Sequence, residues 1–232
     1  MQKRVIRHRV ERTKNKHSRA VIRDNTIVIR LARGLSPTEE RQHIDDLLTR
    51  MKDQIREEEK KELIHPFGRL LASGESATVT LASGRRYRFL LKPGKRTKIQ
   101  RTRDGWSIVI GPQLRRGGLH RLLWKALAVR EREKVERIVE KINKETFGVH
   151  IESVRLRFAS SQWGSCSPKG VIMLNTALLF VDPKVLRYVV IHELAHRKRG
   201  DHSPQYWAWV RWAMRDYAAA RKKLYGYRLP TL

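Results

Sequence analysis

The stretch His192-Glu193-Leu194-Ala195-His196, with His202 after five intervening residues, decides how this chain reads. In an α-helix, residues four apart lie on one face, one turn above the other. His192 and His196 then offer two imidazole nitrogens to a single metal ion. Glu193, about 100° further round, stands beside that ion without ligating it. A catalytic zinc needs a third protein ligand and an open fourth position. His202 is the residue for that role, because the flanking sequence predicts a corner there. Asp182-Pro183 reads as a helix cap with proline at the first helical position. Val185, Val189, Val190 and Leu194 supply apolar positions, Gly200 reads as a left-handed terminating residue, and Ser203-Pro204 caps the next helix.

These residue types in this order predict peptide hydrolysis with Zn2+ as cofactor. Three neutral imidazoles leave the ion its full charge, which acidifies water and polarises a carbonyl oxygen. Glu193 is then the general base that takes the attacking water's proton and passes it to the leaving amine. An extended peptide substrate is expected to add as a strand beside residues 171–175, against Met173 and Asn175, if that strand lies at a sheet edge. Tyr206, Gln162 and Arg197 are the residues available as a second donor to the developing oxyanion.

Composition narrows the rest. The chain has 232 residues and a single cysteine, Cys166, so no intrachain disulfide forms and a reducing compartment is natural. Cys166 itself reads as a small buried loop residue. The alternating N-terminus (Val5, Ile6, His8, Val10) lacks a signal-peptide core, and the apolar run from Val171 to Val181 is too short to span a bilayer. A soluble cytoplasmic protein without a membrane partner is expected. Its formal charge of +28 is concentrated: residues 84–125 carry thirteen Lys and Arg against Asp104 alone. A field of that size favours a polyanion, and Arg96, Lys98, Arg101 and Arg103 are the expected nucleic-acid contacts. An arginine bias of the source organism would produce the same composition.

Along the chain, residues 4–12, 17–23 and 26–32 read as strands, the last two joined by the turn Asp24-Asn25. Ser36-Pro37-Thr38-Glu39 is a capping box opening a helix with Ile44, Leu47, Leu48, Met51 and Ile55 on one face. After the breaker His65-Pro66-Phe67-Gly68 come strands at 76–81, 86–92, 96–103 and 106–110. A helical stretch from about Leu119 to Phe147 follows, with a polar middle at Arg130–Lys134 that suggests a bend. Arg23–Ile29 echoes Arg103–Ile110, and each precedes a helix, which points to two hairpin-plus-helix units. Past Gly148 come a strand around Val154–Phe158, a loop over 160–170, a strand at 171–175, the motif helix, and a closing helix from Pro204 to about Leu224. The tryptophans of that last helix, Trp207, Trp209 and Trp212, are expected to pack the motif helix.

The runs Ser161-Gln162-Trp163-Gly164-Ser165-Cys166, Gly170–Asn175, Tyr188–His196 and His202-Ser203-Pro204-Gln205-Tyr206-Trp207, with the Arg-rich hairpin and helix near 8–55, resemble the YgjP-like metallopeptidases, zincins related to the SprT and WLM groups. The metzincin proteases, which carry glycine at the third position after the second histidine, fit less well, since Arg199 stands there and the glycine is Gly200. The YgjP-like resemblance implies zinc ligands at His192, His196 and His202 and a catalytic Glu193. The expected architecture is α+β: a basic hairpin-and-helix region at 1–117, then a zincin-like metallopeptidase domain at 118–232. The rival reading is a non-catalytic nucleic-acid-binding protein with a structural zinc site.

Overall fold

The computed structural model describes residues 7–23, 26–74 and 76–230. The expected turn Asp24-Asn25 and the start of the first predicted strand lie outside the described residues. The chain forms two compact units, Met1–Lys61 and Glu62–Leu232. The division drawn from sequence at 117/118 therefore falls inside the second unit, within the first turn of a long helix.

The first unit is a three-stranded sheet and one helix. Strands β1 (Arg7–Arg12), β2 (Arg19–Arg23) and β3 (Thr26–Leu31) pair in the order β1-β3-β2, with β1 parallel and β2 antiparallel to β3. Helix α1 (Pro37–Lys60) begins with the predicted capping box: Ser36 accepts from the Glu39 N–H while the Glu39 carboxylate accepts from the Ser36 N–H. Its partly buried Ile44, Leu47, Leu48, Met51 and Ile55 pack on Ile27, Ile29 and Leu31 of β3. This apolar stripe packs one face of the sheet, while Val28, also buried, points to the other face.

The second unit opens with β4 (Glu62–Leu63), which pairs with the last strand, β12 (Tyr227–Arg228). A short helix α2 (Gly68–Ser73), absent from the sequence reading, follows the breaker. Strands β5 (Ser76–Thr80), β6 (Arg86–Pro93), β7 (Lys98–Arg101) and β8 (Gly105–Ile110) then form a sheet in the order β5-β6-β8-β7. Val79, Tyr87, Phe89, Leu91, Trp106 and Ile108 line its buried face. Helix α3 (Arg116–Glu145) runs unbroken through the polar turn that suggested a bend. The reason is tertiary. Glu131 is only 2% exposed and accepts hydrogen bonds from Arg85, Tyr87 and Lys134, so the polar turn faces a buried partner set rather than a break.

The part that carries the site is a third sheet. Strands β9 (Ser153–Arg157), β10 (Gly164–Cys166) and β11 (Val171–Asn175) pair in the order β10-β11-β9, with β9 parallel and β10 antiparallel to β11. A 3-10 turn, Thr176–Phe180, leads to α4 (Pro183–Ala195). The internal echo is thus larger than the sequence suggested. β1-β2-β3-α1, β6-β7-β8-α3 and β9-β10-β11-α4 share one pattern, in which the third strand lies between the first, parallel, and the second, antiparallel. The third copy is hard to read in the sequence because its middle strand has only three residues. The expected closing helix is two, α5 (Pro204–Ala213) and α6 (Tyr217–Tyr225), separated where buried Met214 adopts extended backbone. Among the described residues, no helix is long and apolar enough to cross a membrane.

Candidate metal centre

Helix α4 is built as the sequence predicted at its start. Asp182 accepts from the Lys184 N–H, and Pro183 takes the first position. Val185, Val189, Val190, Ile191 and Leu194 are buried and fix which face turns outward. The far end differs from expectation. The helix closes at Ala195, His196 holds the cap position with αR backbone (φ −63°, ψ −18°), and Gly200 is not left-handed. The turn tightens instead through Arg197 N–H to Leu194 C=O and Lys198 N–H to Ala195 C=O. His196 thereby keeps its helical spacing from His192. At the other corner Ser203 caps α5 by accepting from the Tyr206 N–H, with Asp201 accepting from the Ser203 N–H.

This corner brings His202 back over α4. The ligating atoms of His192, His196 and His202 all lie within 4.8 Å of one another, and the Nε2 atoms of His192 and His202 are 3.3 Å apart. Burial and its histidine neighbours push His192 down to about 3, and burial likewise lowers His196, so both rings are neutral donors at physiological pH. The fully buried Tyr206 sets the orientation of the first ring. Its hydroxyl lies 2.7 Å from His192 Nδ1 and donates at 2.9 Å to the His192 carbonyl. With that donation spent on the carbonyl, the hydroxyl accepts from Nδ1–H, which leaves Nε2 with its lone pair free.

Glu193 is 5% exposed and lies against β10. Burial by itself raises its carboxyl to about 8, and a metal ion on the adjacent imidazoles would oppose that rise and favour the ionised carboxylate that a general base needs. A cleft of about 600 Å³ opens here, with Gly164, Ser165, Cys166, Ser167 and Pro168 on one wall and His192, Glu193, His196, Gly200 and His202 on the other. Cys166 is half-buried, its thiol pushed up by burial, and it is not among the clustered metal donors.

The remaining expected site residues fall differently. Strand β11 is the middle of its sheet, flanked by β9 and β10, so no peptide can add beside residues 171–175; both β9 and β10 are edges, and β10 is the one that lines the histidine cleft. Met173 is buried on that central strand. Asn175 is fully buried and donates to Ala159 C=O (2.6 Å) and Gln162 C=O (2.7 Å) while accepting from the Ala177 N–H, so its side chain organises the loop before β10. Tyr206 is spent on His192, and Arg197 donates to Pro168 C=O. Of the three tryptophans expected against the motif helix, only Trp207 approaches the site, beside His192 and His202. Trp209 and Trp212 are exposed and meet Phe147 instead. Arg96, Lys98, Arg101 and Arg103 are all exposed at or beside β7. Lys98 pairs opposite Val109 and Arg101 opposite Trp106, so these two point to opposite faces. Gly164 lies within the run 161–166 that carries the family resemblance, but the sequence alone gave it no role, and a three-residue strand after a loop does not announce that β10 forms the cleft wall.

Two archaeal chains are among the solved structures to which this chain is similar. The metallopeptidase zymogen abylysin of Pyrococcus abyssi is 28% identical, with 38% of this chain and 87% of that one covered and a TM-score of 0.34. The metallopeptidase zymogen jannalysin of Methanocaldococcus jannaschii is 21% identical, with 39% and 92% covered and a TM-score of 0.34. Comparison with curated proteins yields no significant match. The decisive comparison is with families: the YgjP-like, metallopeptidase domain family matches residues 16–227, a span that takes in the whole histidine cleft. On that match this α+β chain, with its three-histidine metal cluster, belongs to the YgjP-like metallopeptidase family.

Proposed function

We propose that the protein is a zinc-dependent peptidase in which His192, His196 and His202 hold Zn2+ and Glu193 is the general base. The observation that carries this is the donor set: three clustered imidazoles, one oriented by Tyr206, facing an open cleft with no fourth protein donor in the cluster among the described residues. Catalytic zinc sites keep three protein ligands, whereas structural sites are closed and often rich in thiolates, and the lone Cys166 stays outside the cluster. That contrast supports catalysis over a structural zinc. Bound there, zinc supplies Lewis acidity, lowering the pKa of water and polarising a scissile carbonyl. Glu193, next to a ligand but turned towards β10, takes the proton of the attacking water and returns it to the leaving amine. The free side of β10 offers main-chain N–H and C=O groups to an extended peptide, which binds as an added strand with little demand on its side chains.

The test is paired. Wild-type protein is expected to hold about one zinc per chain and to cleave denatured protein; His202→Ala loses most of the metal, and Glu193→Gln keeps it but loses turnover by about 10² to 10⁴-fold. Zinc loss in Glu193→Gln as complete as in His202→Ala would make the glutamate a ligand and refute the assignment.

A nucleic-acid partner is the second part of the reading, and the second sheet favours it. Strands β5 to β8 contain none of the chain's 23 carboxylates. Arg86, Arg88 and Lys92 alternate with the buried Tyr87, Phe89 and Leu91, and Lys98 shares a row with Val109 and Lys92, so all four cations stand on the solvent face. A general arginine bias would leave acids interspersed there, as they are along α1. Among the described residues of β5 to β8 no aromatic side chain alternates onto this face, so it contacts phosphates rather than bases. Affinity for DNA should fall steeply with salt, and replacing Arg86, Arg88, Lys92 and Lys98 by Gln should reduce the slope of log K against log salt by about 3 to 4 on duplex DNA. An unchanged slope would remove this face from the reading.

A further inference from the structure

Glu193 is held by shape. No donor among the described residues hydrogen-bonds its carboxylate. Its side chain lies instead against the backbone of Gly164 in β10. A Cβ built on Gly164 would fall 2.5 Å from Glu193 Oε1 and 2.9 Å from both its Cδ and Cγ, closer than non-bonded carbon atoms approach. The backbone does not demand glycine at this position, because the glycines with positive φ are Gly34, Gly74, Gly84, Gly148 and Gly170. What demands it is the space that Glu193 occupies.

The depth of that recess is set from the other side of the strand. The Asn175 N–H donates to Trp163 C=O at 2.8 Å, and the Asn175 side chain ties down Ala159 C=O and Gln162 C=O. Gly164 follows immediately and pairs with Leu174. The fully buried Asn175 thus fixes the chain on both the loop side and the strand side of Gly164.

We propose that Gly164, seated by Asn175, is a positioning residue of the peptidase reaction: its missing side chain is the recess that places the Glu193 carboxylate beside the histidine cluster. The role rests on Glu193 being the general base. Proton transfer depends steeply on geometry, and a displacement of about 1 Å costs on the order of 10²-fold in rate. A methyl group at 164 forces a displacement of that order.

The experiment is Gly164→Ala in the full chain, with zinc content, steady-state kinetics on a peptide, and melting of the metal-free protein. Zinc content should match wild type. The kcat should fall about 100-fold while KM stays within about 3-fold, whereas a methyl that merely narrowed the cleft would raise KM. Melting separates the clash from any general strand effect. Gly164→Ala should lower Tm by roughly 5 °C, and that loss should vanish in the Glu193→Ala background, where the space is vacated. Wild-type kcat in Gly164→Ala overturns the proposal, as does an equal Tm loss in both backgrounds. If Gly164→Ala does not fold, a folded Gly164→Ala/Glu193→Ala protein still supports it, and failure of both overturns it. Glu193→Gln with wild-type turnover would defeat the general-base reading instead, and the melting cycle would still decide whether Gly164 fixes Glu193.

Discussion

Replacing Tyr206 by Phe removes one oxygen, yet two functions of the site should respond separately. In the folded protein that oxygen accepts from His192 Nδ1–H at 2.7 Å and donates to the His192 carbonyl at 2.9 Å, at a residue with no solvent exposure. Phenylalanine fills nearly the same volume, so the packing loss is small and the hydrogen bonds carry the effect. Leaving the buried Nδ1–H unpaired costs about 1 to 3 kcal/mol. For a chain of this length that is a fall in Tm of roughly 2 to 10 °C, present equally with and without metal. The second effect is on the metal. An imidazole that has lost its outer hydrogen bond loses tautomer and orientation, which weakens metal affinity about 10 to 100-fold, equivalent to about 1.4 to 2.7 kcal/mol. Chelator competition measures the zinc Kd, and melting curves taken in excess chelator isolate the purely structural part. Tyr206→Phe should therefore sit between wild type and His202→Ala in zinc affinity. If it bound zinc as wild type does, His192 would be oriented by its packing on Tyr188 and Trp207, and the tyrosine would have no part in the metal centre.

Two further outcomes concern stability away from the site. Burial, aided by the nearby His65 and Arg116, lowers His120 to about 4, and its Nε2 accepts from Trp124 Nε1–H at 3.0 Å. The folded value lies below the unfolded value near 6.5, so the neutral ring's contribution is complete above that pH and is lost as pH falls towards 4, by about 3 kcal/mol in all. Urea unfolding at pH 7 and pH 4.5 should show this loss, and His120→Gln should flatten it; an equally steep dependence in that variant would assign the acid sensitivity to other groups. Glu131→Ala strips Arg85, Lys134 and Tyr87 of their shared acceptor. Because both cations are partly exposed, the cost should be about 2 kcal/mol rather than the larger figure for a fully buried pair. A variant melting at the wild-type temperature would mean that α3 does not depend on this cluster.

Much of the metal centre was legible in order of residues alone. The His192/His196 spacing, the caps at Asp182-Pro183 and Ser203-Pro204, and the capping box at Ser36 all depend on atoms within four residues of one another, so local geometry determines them. The strands of the first two sheets were legible for the same reason, from alternation along six or eight residues. What tertiary structure decided is everything that needs a partner from elsewhere in the chain. Strand β11 became central, and β10 the edge beside the cleft, only when a three-residue segment folded back on it. Helix α3 stayed whole because Arg85 and Tyr87 supply partners 46 and 44 residues away. Tyr206 went to the His192 ring rather than to the substrate side, and Gly164 became a recess because α4 packs Glu193 into it. Each of these is a competition among distant groups for one hydrogen bond or one volume, and a sequence records the competitors without recording which pair meets.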